Sequence, residues 1–206
     1  MNRPAFYDNL ASEIILDTSV VINLNASGFG HQILSSIPNQ FYVSNIAASE
    51  LLDRAGARPD GSQLAHLISN GLIKLFVETE DVYEVFGDLV AGDAQSTLDD
   101  GEAATIASAV DRGFVVILDE RKANRICREK FGHLSVASSV DLFRHSAVIA
   151  HLGANLPSAI LAALKFANMR VADEHLNWVV GQIGCQFAAS CKSLPAKARS
   201  PDFMSA

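Results

Sequence analysis

Residues Gly101 to Glu120 read GEAATIASAVDRGFVVILDE, and this stretch decides the fold class. Its first part is helical. Ala103, Ile106, Ala107 and Val110 fall at i, i+3, i+4 and i+7, which is one face of a 3.6-residue period. Gly113 stops the helix, because glycine enters the left-handed conformation without a Cβ clash. Phe114 to Leu118 is then apolar without alternation, the pattern of a strand covered on both faces. Asp119 and Glu120 end that strand, and Arg121 to Phe131 is helical again.

The same alternation extends in both directions. Upstream, Glu13 to Asp17 reads as a short buried strand ending in an acid. Ser19 to Asn25 reads as a helix closed by Gly28 and Gly30, and His31 to Ile37 as a second helix. Phe41 to Val43 is a strand, followed by a helix over Ile46 to Ala55 that Ser44 or Asn45 can cap. Arg58 to Gly61 reads as a turn, Gln63 to Asn70 as a helix stopped by Gly71, and Ile73 to Val77 as a strand. Glu80 to Val90 is helical, and Ala91 to Asp99 is a polar loop. Downstream, Leu134 to Ala137 is a last strand, and helices are expected over Ser139 to His151, Pro157 to Asn168 and Asp173 to Ile183. The alternation predicts an α/β/α arrangement of three layers around a central, mainly parallel sheet, with a helical C-terminal extension. The expected boundaries are 13–145 for the α/β domain, 146–185 for the helical extension, and 186–206 for a flexible basic tail.

The chain has 206 residues, 49% of them hydrophobic, enough for a core of its own without disulfides. The formal net charge of −7 excludes a protein that coats nucleic acid by bulk charge. It is compatible with a site whose acids are neutralised by bound cations, and with a basic partner protein. Cys127, Cys185 and Cys191 form no C-x-x-C pair, which points to idle thiols in a reducing cytoplasm. Met1 to Glu13 carries Arg3, Asp8 and Glu13 and lacks the apolar core of a signal peptide. Ser146 to Leu164 has no Asp, Glu, Lys or Arg, but His151, Gly153, Asn155 and Pro157 interrupt it. Two amphipathic helices joined by a turn explain it better than a membrane crossing.

Acids fall at suggestive places. Asp17 ends the first strand, Glu50 lies in the helix after the second, Glu102 opens the helix of the deciding stretch, and Asp119 and Glu120 end its strand. In an open parallel sheet, ligands bind outside the carboxyl ends of the strands, where these residues would meet. Clustered carboxylates repel one another and raise each other's pKa unless cations lie between them. Oxygen-only donors favour Mg²⁺ or Mn²⁺ over zinc, and such ions serve phosphodiester hydrolysis. Each acid also has a structural reading. Asp17 can cap a helix, Glu50 can be a solvated charge, and Glu102, Asp99 and Asp100 can complement a helix dipole. Asp119 and Glu120 can cap the helix that follows.

Four segments carry a resemblance: Ile14 to Leu24 (IILDTSVVINL), Tyr42 to Leu52 (YVSNIAASELL), Leu98 to Ala107 (LDDGEAATIA) and Val115 to Asn124 (VVILDERKAN). Taken in order, they resemble PIN-domain proteins, and the last two are particularly similar to a prokaryotic PIN-like subgroup of predicted nucleic-acid-binding proteins. With a C-terminal extension over Leu156 to Glu174, the resemblance spans about residues 13 to 184. It implies a metal-dependent ribonuclease in which Asp17, Glu50, Glu102 and either Asp119 or Glu120 hold Mg²⁺ or Mn²⁺. Thr18 or Ser19 matches a small hydroxyl residue near the metal. Arg121, Lys122 and Arg125, which follow the fourth acid, either bind phosphates of the RNA or form a solvated basic face partly balanced by Glu129 and Glu120. Many relatives are toxins of toxin–antitoxin pairs, so a small antitoxin partner and a homodimer are further expectations. The sequence departs from the family twice: Leu118-Asp119-Glu120 replaces a common Thr-x-Asp, and Glu102 stands where many members carry Asp. These departures motivate the alternative of a catalytically weak module acting by protein or RNA binding. Gly28-Phe-Gly30 lacks the third glycine of a dinucleotide loop, and no P-loop, nucleophile elbow or H-E-x-x-H occurs.

Overall fold

The computed structural model describes residues 13–53 and 59–205. The charged N-terminal segment up to residue 12, the end of the helix expected to reach Ala55, and Arg58 lie outside the described residues. The apolar runs form one five-stranded sheet: β1 (Ile14–Leu16), β2 (Phe41–Ser44), β3 (Ile73–Phe76), β4 (Val115–Ile117) and β5 (Val136–Ala137). Their order is β3-β2-β1-β4-β5, and every neighbouring pair is parallel. β1 is central, and all three of its residues are fully buried, as a strand covered on both faces requires.

The register sets which side chains share a face. Ile15 lies opposite both Tyr42 and Val116, so these three point the same way. Tyr42 stacks on Phe114 with ring centroids 4.9 Å apart, and Phe76 meets Phe114 edge-on at 5.5 Å. Helices α5 (Glu80–Val90), α6 (Asp100–Arg112) and α7 (Arg121–Lys130) contribute Val82, Leu89, Ile106, Ala107, Ala123 and Ile126 to the same core. Asp99 caps α6, its Oδ1 accepting from the Glu102 N–H at 2.8 Å, and Gly113 ends it at φ +70°.

The chain forms two compact units, divided differently from the sequence-derived boundaries. One unit holds residues up to Val21 and Pro38–Ser138, and therefore the whole sheet; the other holds Ile22–Ile37 and Ser139–Ala206. The division falls inside α1 (Thr18–Ala26). In the second unit α2 (Gly30–Ser36) packs on α9 (Ser146–Leu152), and α10 (Leu156–Phe166) packs on α11 (Leu176–Ile183). Asn23 Nδ2 donates to Ser139 Oγ at 3.1 Å. His175 Nε2 lies 3.4 Å from Asp141 Oδ2, Arg144 Nη1 lies 3.0 Å from His175 Nδ1, and the Arg144 guanidinium sits over Trp178.

Three local expectations differ from the structure, and the two joined helices expected within Ser146 to Leu164 are found. Pro59 to Gly61 is not a turn but the start of α4 (Pro59–Ser69); proline has no N–H to satisfy at a first helical turn, and Asp60 complements the helix dipole there. The helix expected over Ser139 to His151 is two, α8 (Ser139–Arg144) and α9. His145 turns extended at ψ 133°, and its ring nitrogen caps α9 by accepting from the Ala147 N–H. Ser146 to Phe166, apolar and long enough by composition to cross a membrane, is α9, a 3-10 turn and α10, broken at Gly153 with φ +50°. Residues 186–205 are not a loose tail: α12 (Cys185–Ala188) and two 3-10 turns build it, with Cys191, Leu194 and Ala198 buried. All three cysteines are free thiols, and burial pushes Cys127 up to about 12.

Candidate active site

The chain runs from β1 outward to β2 and β3, then returns to β4 on the other side of β1. In open parallel sheets such a switch point opens a crevice at the carboxyl ends of the strands. Asp17 immediately follows β1, and Asp119 and Glu120 follow β4, so the two segments flank the switch.

Asp17 is buried, with 5% of its surface exposed. The Ser19 N–H donates to its Oδ2 at 3.1 Å, and the Ser19 hydroxyl donates to the same oxygen. Asp17 is thus the cap of α1 and a rim acid at once; the two readings coexist. Burial raises its carboxyl, the Ser19 hydrogen bonds oppose that rise, and the negative charge of Asp99 adds to it. Ser19 therefore holds the Asp17 carboxylate in place, while Thr18 is half-buried at the first position of α1.

Glu102, like Asp17, is an acid whose carboxyl is raised. Its carboxyl is pushed up to about 7, first by burial and then by the charges of Asp99, Asp17 and Glu120, with Lys122 acting in the opposite direction. The influence of Asp17 and Glu120 on Glu102 places three remote chain segments within electrostatic reach of one another. Asp99 belongs to the same group. Sequence reasoning had given it only a dipole role, and its position three residues before Glu102, as the cap of α6, is the signal that could have marked it.

Glu50 is carried by α3 (Asn45–Asp53). Its Oε2 would lie 3.5 Å from a Cβ added at Gly101, and Asp99 Oδ1 would lie 3.7 Å from the same point. The start of α6 therefore lies beside the Glu50 carboxylate. Two groups fix the first turn of α3: Ser44 Oγ accepts from the Ala47 N–H at 3.0 Å, and Glu78 Oε1 accepts from the Ile46 N–H at 3.1 Å. Glu78, two residues beyond β3, was not singled out from sequence.

Two of the candidate phosphate-binding cations donate to main-chain carbonyls. Lys122 Nζ donates to the Ala94 carbonyl at 2.6 Å. Arg125 donates to the Gln95 carbonyl at 2.7 Å and pairs with Glu129 at 2.8 Å. Arg121 is exposed at the first position of α7. Asp119 and Glu120 are both half-buried; of the two, Glu120 is the one whose charge acts on Glu102.

Among the described residues, no group of three or more His, Cys, Asp or Glu side chains is placed to hold a metal ion. The donor chemistry nevertheless fits one. The rim offers carboxylate oxygens alone, the choice of a hard divalent cation. Burial first, and then the charges of Asp99, Asp17 and Glu120, raise the Glu102 carboxyl, and a cation between these acids would oppose that rise.

A five-stranded parallel sheet flanked by helices defines an α/β protein of three-layer α/β/α class. Residues 13–184 match the family described as the PIN domain. The chain belongs to the PIN-domain family, whose members are generally nucleases and typically use divalent metals. No curated protein and no solved structure matches the chain.

Proposed function

We propose that this protein is a metal-dependent ribonuclease whose site is built by Asp17, Glu50, Glu102 and the Asp119–Glu120 pair. The observation that carries this reading is the perturbation of Glu102, on which acids from the ends of β1 and β4 and from the cap of α6 all act. Mg²⁺ or Mn²⁺ held there would set positive charge against a phosphodiester and acidify water beside it. The chain's own residues do the rest. Asp17, oriented by Ser19, and Glu120 supply oxygens from either side of the switch point. Glu50 and Glu102 reach in from α3 and α6. The N-terminus of α6, with its N–H groups and positive dipole end, favours negative charge at the same place. Arg121, exposed at the start of α7, would meet the backbone of a bound strand.

The test is Asp17→Asn, which keeps a capping side chain while removing one carboxylate oxygen. RNA cleavage supported by Mg²⁺ or Mn²⁺ should be lost, with an unchanged circular dichroism spectrum. Cleavage at the wild-type rate would exclude the mechanism. A second reading, a PIN module that binds protein or RNA without efficient catalysis, draws on Leu118, which stands buried where many members carry Thr, and on the longer arm of Glu102. Calorimetry with millimolar Mn²⁺ separates the two, since heat of binding accompanies only the first. A cytoplasmic toxin held by a small antitoxin is the biological form of the first reading. It is tested by co-expression with the product of any short adjacent reading frame, which should suppress RNA cleavage.

A further inference from the structure

The basic face of α7 is engaged with main-chain carbonyls. Besides Lys122 on Ala94 and Arg125 on Gln95, Lys130 Nζ donates to the Asp88 carbonyl at 3.4 Å. The first two grip the loop that leads into α6. That loop is exposed over residues 91–96 and passes through Gly92 at φ +118°. A turn closes it, with the Ser96 and Thr97 N–H groups donating to the Asp93 carbonyl at 2.8 and 3.1 Å. Leu98 then enters the core, its N–H donating to the Leu89 carbonyl at 2.9 Å. The next residue is Asp99, whose carboxylate caps α6 at Glu102.

We infer that Lys122 and Arg125 are positioning residues: they clamp the 91–98 loop and thereby fix Asp99 and Glu102 beside Asp17. The catalytic part of this inference rests on the ribonuclease reading above; the clamp itself does not. An exposed loop with one buried side chain opens locally at low free energy, and hydrogen bonds from charged donors are stronger than neutral ones. Release of the loop would draw Asp99 away from the Glu102 N–H and fray the first turn of α6, displacing Glu102. Cations already engaged with carbonyls are poorly placed to grip phosphates.

The test uses Arg125→Met in the full chain, because Arg125 reaches the acids only through the loop. Hydrogen exchange is followed at Ser96, Thr97 and Leu98, Mn²⁺ affinity is measured without RNA, and kcat and KM are measured with it. The clamp predicts exchange about tenfold faster at these amides, Mn²⁺ binding about tenfold weaker, and a KM for RNA that does not move. Arg125→Lys, which keeps a charged donor, should restore the slow exchange and the Mn²⁺ affinity. Unchanged exchange and Mn²⁺ affinity with a raised KM would assign Arg125 to the substrate and overturn the inference. Faster exchange spread equally over β1 and β4 would overturn it too, since that reports loosening of the whole unit. If the wild-type protein binds no Mn²⁺, the ribonuclease reading fails, and the exchange arm still decides the clamp.

Discussion

Metal binding at this rim should release a proton, in an amount that depends on pH in a calculable way. A carboxylate must be ionised to ligate a cation. Glu102 in the metal-free protein titrates at about 7, raised by burial and then by Asp99, Asp17 and Glu120. At pH 6 about nine-tenths of the molecules therefore carry its proton, and at pH 8 about one-tenth do. Mn²⁺ binding should then release about 0.9 proton at pH 6 and about 0.1 at pH 8, with affinity about tenfold weaker at the lower pH. Asp17, also raised by burial, adds to the release. Isothermal titration calorimetry in buffers of low and high ionisation enthalpy reads the proton count directly. Glu102→Gln is the control and should remove the Glu102 share of the difference between the two pH values, about 0.8 proton. Equal release at pH 6 and pH 8, or release unaltered in Glu102→Gln, would refute the reasoning. Stability of the metal-free protein follows the same group with a definite sign. Because the folded-state value lies above the ordinary 4.5, the contribution is fully present below pH 4.5 and is lost as pH rises through about 7. Metal-free melting temperature should therefore fall across that window, and saturating Mn²⁺ should remove the trend.

Other consequences concern the scaffold. Leu16→Ala removes a fully buried side chain from the central strand and should destabilise by about 3 kcal/mol in urea denaturation; a loss under 1 kcal/mol would contradict its burial. Gly113→Ala forces a Cβ into the left-handed end of α6 at φ +70° and should cost about 1 kcal/mol, with Mn²⁺ affinity unaffected at the far end of the helix. His175→Ala leaves Asp141 and Arg144 without the ring between them and should cost about 2 kcal/mol in thermal unfolding. RNA cleavage should survive that change, because Asp141, Arg144 and His175 belong to the other compact unit.

The sequence alone determined the elements of the sheet. Unalternated apolar runs at Ile14–Leu16 and Val115–Ile117 have one stable use, strands covered on both faces, and stops such as Gly71 and Gly113 act locally through backbone sterics. It also placed Asp17, Glu102 and Glu120 at strand ends or helix starts, because those positions follow from chain order. What sequence could not show were matters of side-chain partnership across long separations. Whether Lys122 and Arg125 face a phosphate or the Ala94 and Gln95 carbonyls depends on where a distant loop lies. The charge of Asp99 on both Asp17 and Glu102, and the carboxylate of Glu78 beneath α3, likewise exist only once the strands pair. The grouping of residues 22–37 with 139–206, and the burial of Cys191 and Leu194, were decided in the same way. Local pattern fixes period and caps, whereas electrostatic and packing energies depend on distances between segments, and those distances are set by tertiary structure.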